Sequence, residues 1–526
     1  MKPAFSFKQI REVEKRIIVN DSVPSLILME NAGKNAYVKI AEYFSNLTDY
    51  EIFIFTGKGN NAGDGIVIAR QLLIDKIPFT IVHVVPEEGL KGDALINYSM
   101  LLKEKSGLFD IISFDNFITK YDKRIKALFV DAVLGSGVSG MLSDEFDKYI
   151  NTINNFKDKN RKLKIVSIDV PSGLMSGQQI NPVLKADVTI TMGAVKTELL
   201  FGAGKENSGE VCVIPIGITE DYLNRNNSYN KNVPGLSDVR EMFPKRKKSS
   251  YKYSNGRALI IGGSAGLSGA VIMSSSSALK SGAGAVISAI PRSISSHFSR
   301  KQADVIKTEL EETPEGSIAP GAYTILGNRI KDADAVLIGP GISLNKETKK
   351  FVFEVIKKCS KNLVIDADAL TILAEDTNVL INREYNSEVI LTPHIGEFSR
   401  LSNINSAEIM LNRFETVRDF AKKYRVNIVM KSETTFSCLS NGDIFINPTG
   451  NESLGTVGSG DVLSGIIVSL LSQTSDIKRT LICGNYLHGL CADMYYKKYG
   501  NKQSASQQDF IKMIPKAMTY ILEQPN

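Results

Sequence analysis

The sequence is poor in cysteine, and it contains no long hydrophobic run. Its 526 residues include five scattered cysteines without C-x-x-C spacing, which argues against a disulfide scaffold or a zinc cluster and fits a reducing compartment. No stretch approaches the roughly 18 uncharged apolar residues of a membrane span. The initial segment Met1–Gln9 lacks the apolar core of a signal peptide. We therefore expect a cytoplasmic protein without a membrane partner.

Neither positive nor negative charge is in large excess. The net charge of +6 is spread over many lysines and glutamates, and the only compact basic run is Lys245–Lys248. A solvated linker is the favoured interpretation of that run, so no nucleic-acid partner is expected. Hydrophobic residues make up 43% of the chain and charged residues 23%, which allows a sizeable buried interior. The length predicts at least two domains.

Short apolar segments that end in glycine or aspartate alternate with helical patterns in both halves of the chain. Ile52–Thr56 and Ala127–Val130 are examples, and the alternation is typical of a parallel α/β sheet. The alternation stops near Gly217, and residues 224–248 are polar, asparagine-rich and basic, so we place a linker there. A new series opens at Arg257, and no internal repeat is found. We predict two α/β domains, residues 1–222 and 235–526.

The segment Gly458–Gly465 carries the clearest chemical signal. Gly458 and Gly460 let backbone N–H groups surround an oxyanion, and the apolar run that follows can begin a helix whose N-terminus favours negative charge. Asp461 stands where a base is useful. The pattern predicts a phosphoryl-transfer site, with a glycine turn capped by Asp461 as the alternative.

Three glycine- and aspartate-rich turns follow predicted strands in the first half. They are Thr56–Gly65, Val130–Gly137 and Ile168–Gly173, and none is a P-loop or a G-x-G-x-x-G fingerprint. One such turn alone is structural about as often as it is functional. Because the carboxyl ends of parallel strands share one edge of the sheet, the three turns together predict a ligand crevice.

Four motifs of the first half resemble the YjeF amino-terminal domain, the Rossmann-like NAD(P)HX epimerase family, over most of residues 1–220. The motifs are Met29–Gly33, Gly59–Gly65, Val130–Gly137 and Asp169–Gly173. The family interconverts the R and S epimers of hydrated NADH or NADPH at the hydroxyl-bearing carbon. The resemblance implies that Asp169 is the acid/base group. It implies substrate contacts by Asn60, Asn61, Ala62, Gly63, Asp64, Gly135, Ser136 and Gly137, and a potassium site formed by Asn61, Asp131 and Ser172, whose oxygen ligands suit a hard cation.

Two further residues and one turn leave alternatives open. Lys196 follows a predicted strand and either meets a phosphate or is an exposed lysine at a helix start. His394 is one of only four histidines, and its place in a Thr-Pro-His-x-Gly-Glu turn favours a site over an ordinary surface or core histidine. Met430–Thr435 offers a lysine and hydroxyls to nucleotide phosphates, with a solvated turn as the alternative.

The second half resembles the YjeF carboxyl-terminal domain, the ribokinase-like ADP- or ATP-dependent NAD(P)HX dehydratase, over about residues 235–520. The matching motifs, in order, are Gly262–Ser264, Gly339–Gly341, Leu391–His394, Gly396–Glu397 and Gly458–Asp461. The chain departs from the family pattern at Leu267, Val457 and the pair Tyr251–Lys252. The resemblance implies catalysis by Asp461, hydrate contacts by Gly339 and His394, and binding of a nucleotide with Mg²⁺ by Lys431, Ser432, Glu433, Thr434, Thr435, Gly458 and Gly460.

The two resemblances together imply a bifunctional repair enzyme, an isomerase joined to a lyase. The first domain would epimerise NADHX and NADPHX. The second would phosphorylate the hydroxyl of the S form, so that phosphate can leave and the reduced cofactor is restored. A homo-oligomer is expected, with these hydrates and an adenine nucleotide as its small-molecule partners. The alternatives are a ribokinase-like kinase of a vitamin precursor that carries a non-catalytic amino-terminal binding module, and a scaffold protein.

Overall fold

The computed structural model describes residues 1–104, 106–121, 125–227 and 230–523. The chain divides near residue 228 into two compact units. Residues 228 and 229 of the predicted linker and residues 524–526 of the predicted second domain lie outside the described residues, as does the side chain of Lys252. Within the described ranges, no helix combines the length and the apolar character needed to cross a bilayer.

The amino-terminal unit is built on a seven-stranded, fully parallel sheet with the order β4-β3-β2-β5-β6-β7-β9. A separate short pair joins β1 to β8. The elements are β1 (Lys2–Phe5), α1 (Phe7–Val19), α2 (Ser25–Tyr43), β2 (Glu51–Thr56), α3 (Asn60–Ile74), β3 (Phe79–His83), α4 (Gly92–Leu102), β4 (Phe109–Ser113), α5 (Phe114–Lys120), β5 (Ala127–Ala132), α6 (Asp144–Lys159), β6 (Lys164–Ile168), β7 (Val188–Met192), β8 (Val195–Lys196), α7 (Gly202–Asn207), β9 (Glu210–Ile214) and α8 (Glu220–Asn226).

Both faces of this sheet are covered. Along β2, Ile52 and Ile54 join one hydrophobic core, whereas Phe53 and Phe55 join another. A strand whose successive side chains are all buried is typical of a parallel sheet between two helical layers. The strand order reverses between β2 and β5, so a crevice opens where these two strands end. Gly57 is required there, because a Cβ on it would lie 2.3 Å from the carbonyl oxygen of Val133.

The carboxyl-terminal unit has a sheet in the order β13-β12-β11-β14-β15-β16-β17-β18-β19-β10. Strands from β13 to β17 are parallel, and β18 is antiparallel to both of its neighbours. The elements are β10 (Lys231–Val233), α9 (Leu236–Met242), β11 (Arg257–Ile261), α10 (Ser268–Lys280), β12 (Ala285–Pro291), α11 (Ser295–Lys301), β13 (Ile306–Leu310), α12 (Tyr323–Asp332), β14 (Ala335–Ile338), α13 (Lys346–Lys358), β15 (Asn362–Ile365), α14 (Asp368–Leu373), β16 (Val389–Leu391), α15 (Ile395–Ser402), α16 (Ser406–Leu411), α17 (Arg413–Tyr424), β17 (Asn427–Met430), β18 (Phe436–Cys438), β19 (Ile444–Ile446), α18 (Ser459–Gln473), α19 (Ile477–Tyr499) and α20 (Gln507–Glu523).

This second sheet is also buried on both faces. Ala258 and Ile260 of β11 join one core cluster, and Leu259 and Ile261 are fully buried on the opposite face. The strand order reverses between β11 and β14. At that reversal the N–H of Gly263 donates to the carbonyl oxygen of Pro340 at 2.8 Å, which ties together the loops that follow the two strands.

The stretch predicted to be a linker, residues 224–248, is partly ordered structure. It contains β10, which pairs with β19, and α9. Val239 and Phe243 are buried four residues apart and pack into the core formed with α19 and α20. This one apolar face is short and is surrounded by charged residues, so composition alone indicated a solvated segment.

Candidate active sites of the two units

The amino-terminal unit has a cavity of about 480 Å³ at the carboxyl ends of β2, β5 and β6. Six of the eight residues predicted to bind substrate line it, and so does the predicted acid/base group. They are Asn60, Asn61, Asp64, Gly135, Ser136 and Gly137, together with Asp169.

The other two predicted substrate residues, Ala62 and Gly63, do not line this cavity. Ala62 is fully buried in the core, and a Cβ on Gly63 would lie 2.5 Å from the sulfur of Met29. The reason is helical periodicity. Helix α3 begins at Asn60, so consecutive residues of the motif point in different directions.

Asp169 is held by contacts on both carboxylate oxygens. Its Oδ1 lies 2.6 Å from Nζ of Lys196, and its Oδ2 accepts the N–H of Ser136 at 3.1 Å. The backbone of Asp169 has a φ of +68°, a left-handed conformation that is uncommon outside glycine. Such strained residues persist where the surroundings fix them, and they cluster at functional sites.

Lys196 is buried, so the predicted alternative of an exposed lysine is wrong, whereas the phosphate contact stays a prediction. Its side chain is 1% exposed. Besides the ion pair with Asp169, its ammonium group donates to Oγ1 of Thr191 at 2.8 Å and to the carbonyl oxygen of Met192 at 3.1 Å. An ammonium group has three N–H donors, so these three acceptors satisfy it.

Two more carboxyl groups, those of Glu14 and Asp64, face the same cavity. Glu14 was not predicted as a site residue. Burial raises the pKa of Glu14 to about 7, with the charge of Lys196 opposing the rise and that of Asp169 adding to it. Burial also raises the pKa of Asp64 well above its ordinary value, and the charges of Asp169 and Glu14 reinforce this. The site therefore combines a lysine-paired carboxylate with two carboxyl groups that retain protons more readily than usual.

The residues predicted to hold potassium differ in whether their side-chain oxygens are already used in hydrogen bonds. Asn61 fits, because its amide is buried and neither its oxygen nor its nitrogen has a hydrogen-bond partner within the described chain. The two oxygens of Asp131 already accept four hydrogen bonds, from the hydroxyls of Tyr149, Ser167 and Ser172 and from the N–H of Ser172. Direct coordination by Asp131 would require the loss of one of these bonds, since a carboxylate has about four acceptor positions.

In the carboxyl-terminal unit, Lys431 lies at the centre of the candidate site. Its Nζ is 3.0 Å from Oδ1 of Asp366 and 3.9 Å from Oε2 of Glu397. The ammonium group also lies against the first turn of α18, because a Cβ on Gly460 would be 3.0 Å from Nζ. The structure thus brings Lys431 and Gly460 together, as predicted, and adds two acidic partners.

Asp461 follows Gly460 in that first turn. Burial, together with the charges of Asp366, Asp368 and Glu397, raises the pKa of Asp461 to about 7, and the charge of Lys431 opposes this rise. A carboxyl group with this pKa can accept a proton at neutral pH and release it again.

Two glycines shape this site through backbone conformations that other residues rarely adopt. Gly458 has a φ of +90° and immediately precedes α18. Gly339 has a φ of +128°, and a Cβ on it would lie 1.9 Å from the carbonyl oxygen of Asp366. Gly339 is therefore packed against the strand end that carries the acidic partner of Lys431.

His394 begins helix α15 and caps it. Its Nδ1 accepts the N–H groups of Gly396 at 3.0 Å and Glu397 at 3.3 Å, while about half of its side chain is exposed. Burial lowers the pKa of His394, and the charge of Lys431 lowers it further. A neutral imidazole with one nitrogen used as a cap and an exposed edge is compatible with ligand contact.

The turn after Lys431 is engaged in its own contacts. Ser432 donates its hydroxyl to the carbonyl oxygen of Thr434 at 2.8 Å, and Glu433 forms a 2.9 Å ion pair with Arg413. Thr434 is buried, and the carbonyl oxygen of Thr435 accepts the N–H of Asn447 at 2.9 Å. The structure therefore gathers Lys431, Gly458 and Gly460 at the start of α18, and nucleotide binding by the turn after Lys431 stays a prediction.

Three residues of this site were not predicted as site residues, although one of them, Glu397, ends the motif Gly396–Glu397. They are Asp366, Asp368 and Glu397. A fourth, His488, is buried near Lys431, and its Nε2 lies 3.3 Å from the hydroxyl of Ser459. Burial lowers the pKa of His488 to about 4. The position of Asp366 and Asp368 just after a buried strand was a signal that could have identified them. Nothing in the sequence around His488 marked it as a site residue.

The fold and the two sites define a two-domain α/β enzyme, in which one unit has an acidic cavity and the other has a glycine-capped helix that carries a buried carboxyl group in its first turn. Family models agree with this division: one described as YjeF-related protein N-terminus matches residues 25–198, and one described as NAD(P)H-hydrate dehydratase matches residues 258–516. A bifunctional NAD(P)H-hydrate repair enzyme of Moorella thermoacetica is 32% identical over 95% of this chain and 94% of its own length. One of Dictyoglomus turgidum is 31% identical over 99% of each chain.

The chain therefore belongs to the family of bifunctional NAD(P)H-hydrate repair enzymes. The predicted family, the enzyme class and the α/β fold class, Rossmann-like then ribokinase-like, are confirmed. Among solved structures, an ADP/ATP-dependent NAD(P)H-hydrate dehydratase of Bacillus subtilis, co-crystallised with ATP and Mg²⁺, is 26% identical, covers 55% of this chain and 99% of its own, and gives a TM-score of 0.47.

Proposed function

We propose that the chain repairs hydrated NADH and NADPH in two steps. The amino-terminal unit interconverts the R and S hydrates, and the carboxyl-terminal unit removes water from the S hydrate at the expense of ADP or ATP. The observation that carries the second step is Asp461, a carboxyl group with a pKa of about 7 in the first turn of a long helix. The family to which the chain belongs supports both steps.

In the dehydration, Asp461 accepts the proton of the substrate hydroxyl. The oxygen then takes the terminal phosphoryl group of the nucleotide, whose bond to the rest of the nucleotide breaks. The carbon–oxygen bond next breaks as phosphate leaves, and the neighbouring ring carbon gives up a proton to the phosphate or to solvent as the ring double bond forms. The N–H groups at the start of α18 and the ammonium group of Lys431 lie where they can stabilise the anionic groups. Hydroxide alone is a poor leaving group, which is why phosphorylation assists the reaction.

Mg²⁺ would enter this site with the nucleotide. Among the described residues, no group of three histidine, cysteine, aspartate or glutamate side chains is arranged to hold a metal ion. The carboxylate of Glu397 is a hard oxygen ligand, and Mg²⁺ is commonly held by one or two such groups together with nucleotide phosphates. When bound, the ion would neutralise phosphate charge.

In the epimerisation, we propose that Asp169 exchanges protons with the substrate. Lys196 and the N–H of Ser136 contact its two oxygens and fix their orientation. Potassium would be held by Asn61, whose buried amide has no partner within the described chain. Ser172 and Asp131 complete the set of ligands predicted from the sequence. The ion would supply positive charge to the cavity.

The test uses chemically prepared R and S hydrates separately, with ADP or ATP, and follows the return of reduced-cofactor absorbance in the near ultraviolet. Asp461→Ala should abolish nucleotide-dependent repair while epimerisation continues, and Asp169→Ala should do the reverse. If the wild-type protein accumulates a stable phosphorylated product instead of the reduced cofactor, the kinase alternative is correct. If either variant silences both activities while remaining folded, the two sites are not independent.

We also propose a cytoplasmic location and a homo-oligomeric state, as predicted from the sequence. All five cysteines lie among the described residues as free thiols, and four of them are buried, which suits a reducing compartment. Cell fractionation tests the location, and light scattering coupled to size-exclusion chromatography tests the oligomeric state.

A further inference from the structure

Helix α1 presents one polar face to the cavity of the amino-terminal unit. The helix begins at a capping box, in which the hydroxyl of Ser6 accepts the N–H of Gln9 at 3.3 Å and the side chain of Gln9 accepts the N–H of Ser6 at 2.9 Å. Its buried residues, Phe7, Ile10, Val13 and Ile17, face the core. The adjoining stripe, Arg11, Glu14 and Ile18, lines the cavity at the spacing of one helix face.

Strand pairing brings this helix beside Lys196. The strand that leads into α1 runs parallel to β8, with Phe5 opposite Lys196. One turn before Glu14, the guanidinium group of Arg11 donates to the carbonyl oxygen of Ser136. The N–H of Ser136 in turn donates to Asp169. The face of α1 that carries Glu14 is thus anchored to the loop that fixes Asp169.

We propose that Glu14 is a second acid/base group of the epimerase site and works opposite Asp169 on the hydroxyl-bearing carbon of the hydrate. This inference rests on the proposed epimerase function of the amino-terminal unit. The proposal assigns a proton-transfer role to helix α1, which none of the motifs quoted from the sequence includes.

The chemistry of the substrate calls for two such groups. Water adds to an enamine double bond with its oxygen on the carbon next to nitrogen, so the hydroxyl-bearing carbon of the hydrate is also bonded to the ring nitrogen. Inversion can then proceed by ring opening: the O–H and C–N bonds break, a C=O bond forms, and the nitrogen gains a proton. Reclosure on the other face reverses each change, so no oxidant and no water are consumed. One group takes the hydroxyl proton while another protonates the nitrogen.

The charges around Glu14 suit the proton-donating role. Burial raises its pKa to about 7, the charges of Lys196 and Arg11 lower it, and that of Asp169 raises it. Asp64, on α3, lines the same cavity, and the charge of Glu14 helps to raise the pKa of Asp64. Two carboxyl groups in one cavity, one paired with a lysine and one that holds its proton near neutrality, form the usual arrangement for a base and an acid.

The test compares Glu14→Gln with Glu12→Gln, a change at an exposed residue of the same helix. Epimerisation is measured by supplying R hydrate to the full chain with nucleotide, so that the carboxyl-terminal unit reports each S molecule formed. We expect Glu14→Gln to lower kcat/KM for the R hydrate by about 100-fold or more and to remove the limb near pH 7 from its pH profile. Direct dehydration of S hydrate should not change, and Glu12→Gln should match the wild type in both assays.

A second variant, Glu14→Asp, keeps the carboxyl group and should retain more activity than Glu14→Gln, with a displaced pH limb. Equal losses in these two variants would indicate a merely structural role and overturn the proposal. Wild-type activity in Glu14→Gln with an unchanged pH profile would also overturn it. A wild-type protein that dehydrates S hydrate but never converts R hydrate would instead refute the proposed epimerase function itself.

Discussion

Asp366→Asn should move the acid limb of the dehydration rate to lower pH. The reasoning depends on Asp461, whose pKa is raised to about 7, first by burial and next by the charge of Asp366. Removing that charge removes a like-charge repulsion. It also releases Lys431, whose Nζ lies 3.0 Å from Oδ1 of Asp366, and a freed ammonium group beside Asp461 favours the carboxylate as well. Both effects act in the same direction.

The expected magnitude follows from the titration curve. With a pKa of about 7, Asp461 is ionised in about a tenth of the wild-type molecules at pH 6. A nearby charge commonly moves such a limb by about one pH unit or more, which corresponds to about 1.4 kcal/mol. About half of the variant molecules would then carry the carboxylate at pH 6. Relative to its own plateau, the variant should therefore be about fivefold faster than the wild type at that pH.

The assay is kcat/KM for S hydrate at saturating nucleotide from about pH 5 to 9, because this parameter reports ionisations of the enzyme before the hydrate binds. Each profile is scaled to its plateau, since Asp366→Asn also disturbs Lys431 and will lower the maximal rate. Glu375→Gln, at an exposed residue paired with Lys349, is the control. An acid limb that stays in place or moves to higher pH in Asp366→Asn would refute the assignment of Asp461 as the base.

Three other outcomes are expected. Lys196→Met breaks the ion pair at the proposed epimerase carboxylate and should slow conversion of R hydrate about 100-fold, with direct dehydration of S hydrate unchanged. Gly339→Ala places a Cβ 1.9 Å from the carbonyl oxygen of Asp366 and should lower the free energy of unfolding by about 2–4 kcal/mol in denaturant titrations, whereas Gly269→Ala, with no atom within 4 Å, should not. Asp461→Asn should be more stable than the wild type at about pH 8, by on the order of 1–3 kcal/mol, and equally stable near pH 4. The unfolded chain releases this proton near the ordinary pKa of 3.8, whereas the folded state holds it up to about pH 7, so the cost to stability develops as pH rises between these two values and is complete above pH 7.

The location of both sites could be predicted from the sequence because local patterns determine it. Glycine and aspartate directly after short apolar runs mark strand ends, and parallel strands bring those ends to one edge. Asn60, Gly135 and Asp169 line the cavity for this reason. Ala62 and Gly63 do not line the cavity, and this too has a local cause. The residue at which a helix begins decides which residues of a motif face the cavity, and the motif alone does not show where the helix begins.

Contacts between distant segments could not be predicted from the sequence. Lys196 lies beside Asp169 because β7, which precedes β8, runs next to β6, and its burial also depends on the pairing of β8 with β1, nearly the whole length of the amino-terminal unit away along the chain. Glu14 lies at the cavity because of this same pairing of β1 with β8. A lysine and a glutamate in polar surroundings look like solvated residues unless that pairing is known. The ion pair between Lys431 and Asp366 likewise joins residues that follow two separate strands.

The two sites contain similar charged groups but are proposed to carry out different proton transfers. The difference lies in which aspartate each lysine contacts. Both sites place an aspartate and a lysine beside a helix N-terminus. In the first, Lys196 contacts Asp169 directly, and Glu14, with a pKa of about 7, is the proposed proton donor. In the second, Lys431 pairs with Asp366, and Asp461 is left with a pKa of about 7. One residue can then accept the hydroxyl proton at neutral pH without a second acid, since the phosphoryl group assists the departure of the oxygen.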